Sequence, residues 1–153
     1  MMTTPRASAP PEILLVEDNP GDVELVREGL QHSRASARLH VVGNGDEALA
    51  FLLGQRAERI APPDLVLLDL NLPVKEGKET LREIRLLEYP VPVVVFTGSE
   101  EDEDVEEAYR LGANCYVVKP ANLDEYLSCV GRIVGFWLDL ARLPPRAPRA
   151  GLS

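Results

Sequence analysis

Residues 64–77 read DLVLLDLNLPVKEG. Leu65, Val66, Leu67 and Leu68 form an unbroken apolar run that ends on the carboxylate of Asp69. A run of that length and character suits a strand buried on both faces, as in a parallel sheet. A negative charge aimed out of the end of such a strand needs a reason, because an unpaired buried carboxylate is costly. The Pro73 and Gly77 that follow mark a turn.

The same alternation extends in both directions. EILLV (12–16), RLHVV (38–42), VPVVVF (91–96) and NCYVV (114–118) read as four more strands. Asn19-Pro20 predicts an N-cap with proline at the first helical position, opening a helix to about Arg34 with Val23, Val26 and Leu30 inward. Asn44 with Glu47 forms a capping pair for a helix to about Gln55. Further helices are predicted over Lys78 to Leu87, from a cap at Ser99 and Asp102 to the C′ glycine Gly112, and from Asn122 to about Ala141. Such strict β-α order implies an α/β fold, a doubly wound five-stranded parallel sheet with helices on both faces and right-handed crossovers. The ordered domain is expected over 12–141, between disordered tails at 1–11 and 142–153.

The composition fits one soluble domain: 153 residues, 45% hydrophobic and 27% charged. The net charge of −9 argues against nucleic-acid binding and against docking to an anionic membrane. No apolar run approaches the roughly 20 residues that span a bilayer, and MMTTPRASAPPE lacks a secretion signal's apolar stretch. Cys115 and Cys129 have no metal-ligand spacing, and a cytoplasmic setting follows.

In doubly wound sheets the site lies outside the carboxyl ends of the strands. Glu17 and Asp18 stand after the first strand, Asp69 ends the third, Thr97 and Gly98 follow the fourth, and Lys119 follows the fifth. Three carboxylates in one crevice repel one another unless a hard divalent cation such as Mg²⁺, or Mn²⁺, lies between them. Asp18 and Asp69 are expected as direct ligands, Glu17 through water, with the Asn71 carbonyl completing the protein's share. Asp69 is then the nucleophile for a phosphoryl group, Lys119 and Thr97 meet the phosphoryl oxygens, and Gly98 allows close backbone approach. Each residue alone has a plain reading: Asp69 as a turn residue, Glu17-Asp18 as the start of a capped turn, Thr97 as a strand residue, Lys119 as a solvated lysine. Their joint occurrence in order separates the two.

The segments VED (16–18), LLDLNLP (67–73), FTG (96–98) and YVVKP (116–120) resemble the receiver domains of two-component response regulators. VEDNPGDVELVREGL, NCYVVKP and the late Phe136-Trp137 are most similar to small stand-alone regulators serving bacterial and cyanobacterial phytochromes. The resemblance implies a CheY-like, flavodoxin-like sheet of order 2-1-3-4-5 with an extended C-terminal helix. It implies a phosphorelay in which a sensor histidine kinase, of the bacteriophytochrome kind, phosphorylates Asp69. It further implies Tyr116 as a switch aromatic, a cis Lys119-Pro120 bond, an unidentified downstream protein and no turnover chemistry. Asn71 and Ser99 flank the site and are expected to influence the phosphoryl lifetime. The stretch between Asp18 and Asp69 is longer than in minimal receivers, with residues 54–63 extending a loop.

Rival readings are a phosphorylation-independent receiver, a haloacid-dehalogenase-like phosphatase and a flavodoxin-like cofactor binder. The phosphatase family has its nucleophile early and its acidic pair last, the reverse of the order here. A cofactor binder needs a phosphate cradle after the first strand, where Glu17-Asp18 would repel phosphate. In the last helix Leu123, Leu127, Val130, Val134 and Trp137 are expected to face the sheet. A second stripe, Cys129, Ile133, Phe136 and Leu140, either lies under a neighbouring helix or forms a homodimer face with the fourth helix and fifth strand. His32 and His40 read as ordinary surface or edge residues, and the acidic run 99–108 as complementing a helix dipole.

Overall fold

The computed structural model describes residues 9–54, 62–88 and 90–144. The elements run β1 (Glu12–Val16), α1 (Pro20–His32), β2 (Arg38–Val42), α2 (Gly45–Leu52), β3 (Leu65–Leu68), α3 (Gly77–Leu86), β4 (Val93–Thr97), α4 (Asp102–Arg110), β5 (Cys115–Val118) and α5 (Leu123–Val134). All strands are parallel in the order β2-β1-β3-β4-β5. The predicted fold is the observed one. Most of the lengthened 54–63 segment and most of both tails lie outside the described residues.

The apolar runs behave as their unbroken pattern requires. Every residue of β1, β3 and β4 is buried, because helices cover both faces. Leu14, Val16, Val66, Leu68, Val93 and Val95 pack toward α2, α3 and α4. Ile13, Leu15, Leu65, Leu67, Val94 and Phe96 pack toward α1 and α5. The edge strand β5 has no fully buried residue.

Three asparagine caps form where the sequence places them. Asn19, Asn44 and Asn122 accept from the backbone N–H of Asp22, Glu47 and Glu125. Glu47 also reaches back to accept from Gly43 N–H at 2.9 Å. Gly112 ends α4 at φ +111°, a left-handed position that suits glycine. The start of α4 differs from expectation: Glu101 is its N-cap, without a side-chain cap bond. The Ser99 hydroxyl is instead committed to the Asp104 carboxylate. Arg85 ties α3 to the far end of the sheet, donating to the carbonyls of Gly112 and Val91 and to Asn114 Oδ1.

The last helix corrects two expectations. Tyr126, Val130, Ile133 and Val134 are its buried residues, whereas Leu123 is 55% exposed. A tyrosine thus begins the inward stripe, and Ile133 of the proposed interface set is spent in the core. Cys129 is half-buried at the edge of that core, while Phe136 and Leu140 remain exposed. Beyond Val134 the helix continues as a wider π-turn over Gly135–Leu140, in which Ala141 N–H bonds back to Phe136 O at 2.7 Å. The Lys119–Pro120 bond is the third correction: no cis peptide occurs among the described residues. Trans is the ordinary lower-energy form of an X–Pro bond.

Helices α1 and α5 touch at Gly29, where a Cβ would lie 2.6 Å from Val130 Cβ. Gly29→Ala is expected to lower unfolding free energy by about 1–2 kcal/mol, since overpacking outweighs the roughly 1 kcal/mol gain in helix propensity. Urea denaturation of wild type and variant checks this.

Candidate functional site

The sheet ladder carries the chemistry past the strand ends. Glu17 N–H donates to Val42 O at 3.0 Å, Asp69 N–H to Val16 O at 3.1 Å and Lys119 N–H to Thr97 O at 2.8 Å. Each residue is therefore still held by the neighbouring strand where the chain turns away. The turn after β3 is equally constrained. Gly77 N–H bonds Leu70 O at 3.1 Å, and a Cβ on Gly77 would lie 2.3 Å from Asp69 O. Only glycine lets the start of α3 rest on the backbone of Asp69.

Glu17, Asp18 and Asp69 come together as expected, each with a carboxylate oxygen within 4.8 Å of the others. Glu17 and Asp69 are buried and Asp18 is exposed. An all-oxygen, acidic donor set of this kind fits a hard divalent cation. Asn71 N–H donates to Asp69 Oδ1 at 3.2 Å, which places its backbone beside the acidic group. Lys119 Nζ faces the same crevice, 2.8 Å from Glu17 Oε1 and 3.4 Å from Asp69 Oδ2. Thr97 is fully buried, and its Oγ1 has no hydrogen-bond partner among the described residues. A buried hydroxyl left unpaired by the protein has capacity for one more oxygen partner, from an ordered water or a ligand.

Glu17 and Lys119 both hold their protons more tightly than the free side chains do. Burial pushes the Glu17 carboxyl up to about 7, against the lowering effect of Lys119. Burial also acts to lower Lys119, but the carboxylates of Glu17, Asp69 and Asp22 outweigh it and hold the ammonium above its ordinary value. The causes differ: burial dominates at Glu17, whereas the Lys119 ammonium answers several carboxylates.

Sequence reasoning missed two contacts of the site and two bridges between neighbouring helices. Asp22, in the first turn of α1, holds Lys119 Nζ at 3.2 Å through Oδ2. Tyr126 donates its hydroxyl to Asp22 Oδ1 at 2.8 Å. Lys78 joins α3 to α4 through Asp104 and Glu107, at 2.6 and 2.7 Å. These pairings join elements far apart in sequence, and no local spacing announces them. Tyr116 is half-buried against the core, with its hydroxyl donating to Ser99 O at 3.0 Å in the loop after Thr97. Its N–H is met by the Tyr109 hydroxyl. A Cβ added at Gly98 would meet nothing within 4 Å, so open space rather than close packing surrounds it.

The raised Glu17 value gives a pH dependence with a defined sign. The folded metal-free chain binds this proton more tightly than the unfolded one. The associated stability is fully present below pH 4.5 and is lost as pH rises through about 7. The stability of wild type relative to Glu17→Gln is therefore expected to fall across that interval when urea unfolding is followed in chelator.

Residues 13–130 match the response regulator receiver domain family. Response regulator Rcp1 of Synechocystis is 43% identical over 143 residues, covering 90% of this chain and 96% of that protein. The solved structure of the phosphorylated cyanobacterial phytochrome response regulator RcpA superposes with a TM-score of 0.81 at 42% identity, over 89% of this chain and 99% of that one. The Mn²⁺-bound form of Rcp1 superposes with a TM-score of 0.80 at 43% identity, over 88% and 99%. With its sheet order, its acidic crevice and these matches in agreement, the chain belongs to the receiver-domain response regulators of two-component signalling.

Proposed function

We propose that Asp69 is the phosphoacceptor of a phosphorelay fed by a sensor histidine kinase. The observation that carries this is the buried Thr97 hydroxyl, unpartnered among the described residues, at the strand end next to the Asp69–Lys119 contact. An Asp69 oxygen attacks the phosphorus of a phosphohistidine. The P–O bond forms as the P–N bond breaks, and the imidazole nitrogen leaves with the electron pair and takes up a proton. Lys119 turns its ammonium from Asp69 to the arriving phosphoryl oxygens, and Thr97 donates to another. Glu17, Asp18, Asp69 and the Asn71 carbonyl would hold Mg²⁺ or Mn²⁺, which supplies charge neutralisation for the incoming anion. Gly98 leaves the loop free to follow Thr97. Tyr116, bonded to that same loop through Ser99, moves with it.

The output is a changed protein-binding face made by α4, β5 and α5, presented to a downstream protein in the cytoplasm rather than to nucleic acid. This is self-limited phosphorylation, not turnover. The likeness to Rcp1 and RcpA supports a phytochrome-type kinase as the donor. The exposed Phe136 and Leu140 support a homodimer through the same face, which also takes in the half-buried Cys129. Ile133 contributes from beneath, as part of the core.

Intact-mass spectrometry after incubation with Mg²⁺ and acetyl phosphate tests the acceptor. Wild type should gain one hydroxylamine-labile phosphoryl group and Asp69→Asn none. A folded, metal-binding wild type without adduct would support a phosphorylation-independent module, and rapid consumption of acetyl phosphate a phosphatase. For the assembly, light scattering at micromolar concentration should give a dimer that Phe136→Glu converts to monomer. A monomeric wild type would remove the interface.

A further inference from the structure

We infer that Asp22, braced by Tyr126, is the positioning residue for Lys119. The inference rests on the reading of Asp69 as phosphoacceptor and adds a part to that machinery.

Lys119 Nζ has three acceptors: Glu17 at 2.8 Å, Asp22 at 3.2 Å and Asp69 at 3.4 Å. Glu17 and Asp69 belong to the acidic trio that fits a divalent cation, and Asp22 does not. Once a cation and a phosphoryl group engage the trio, Asp22 is the acceptor that remains to hold the ammonium in place. Its own position is over-determined. Oδ2 meets Lys119, Oδ1 accepts the Tyr126 hydroxyl at 2.8 Å, and its N–H caps onto Asn19 Oδ1 at 3.0 Å.

Tyr126 is rigid in turn. It is 3% exposed and packs edge-on against Phe96, with ring centroids 5.3 Å apart. Phe96 is the residue before Thr97. Burial of Gly29 against Val130 keeps α1 and α5 close enough for the contact. A flexible lysine stem would otherwise lose rotamer freedom at the moment of transfer. Asp22 instead fixes the ammonium beforehand, while leaving donors free for the phosphoryl oxygens.

The test compares phosphorylation of wild type, Asp22→Ala, Asp22→Glu and Tyr126→Phe across acetyl phosphate concentrations in Mg²⁺. Asp69→Asn serves as the blank. Asp22→Ala should lower the saturating rate constant on the order of tenfold or more, with the half-saturating concentration little changed. Tyr126→Phe, which deletes one oxygen and keeps the ring, should produce a smaller loss of the same kind. Asp22→Glu should recover part of the rate. Unchanged or faster phosphorylation of Asp22→Ala would overturn the proposal, since removing a carboxylate that merely repels an anionic donor speeds the reaction.

A second measurement does not depend on phosphorylation. The ¹⁵N relaxation of the Lys119 ammonium, recorded in Mg²⁺, should show an ordered group in wild type and a mobile one in Asp22→Ala. An equally ordered ammonium in both would also overturn the assignment. If wild type gained no adduct while the relaxation difference held, the Asp69 reading would fail and the Asp22 contact would stand.

Discussion

A carboxylate buried at the end of a strand covered on both faces has to be met by positive charge, and the fold is arranged around meeting it. Asp69 is 6% exposed and follows four residues that lie at the centre of the sheet. Water cannot solvate it fully, so the neighbouring strand ends supply what water does not. Parallel pairing makes this efficient. All carboxyl ends of the strands fall on one side, so β5 brings Lys119, β4 brings Thr97 and β1 brings Glu17-Asp18 to one place. An antiparallel sheet would send alternate strand ends to opposite sides.

The crevice carries more acid than one lysine neutralises. Burial makes Glu17 hold its proton more tightly, with the Asp69 charge adding to the effect, and the surrounding carboxylates make Lys119 hold its own. A divalent cation relieves the same surplus by coordination. A proton on Glu17 and a divalent cation would thus be two solutions to one electrostatic problem.

Much of this is legible in the sequence because it depends on short-range rules. Unbroken apolar runs mark the central strands, asparagine before a helix marks three caps, and chain order places the residues at four strand ends. The differences lie where local rules compete with tertiary ones. Apolarity alone selects Leu123 over Tyr126 for the inward stripe of α5. Yet Tyr126, Val130, Ile133 and Val134 have equally good helical spacing, and the tyrosine hydroxyl has Asp22 to receive it. Ser99 reads as a cap because nothing nearby in sequence shows that Asp104 claims it. The contacts Lys119–Asp22, Tyr126–Asp22 and Lys78–Glu107 span 29 to 104 residues or cross separate helices, beyond the reach of periodicity.

The wide turn at Gly135–Leu140 has a consequence for what can be joined to this chain. Ile133, Phe136 and Leu140 would share one face of an ideal α-helix. Here Ile133 is 7% exposed and Leu140 77%. The extra residue in the turn offsets the rotation of everything that follows. A rigid helical fusion built onto the end of α5 by counting heptads would emerge out of phase with the receiver. Such a linker must be phased from Leu140 itself, not extrapolated from the buried stripe of α5.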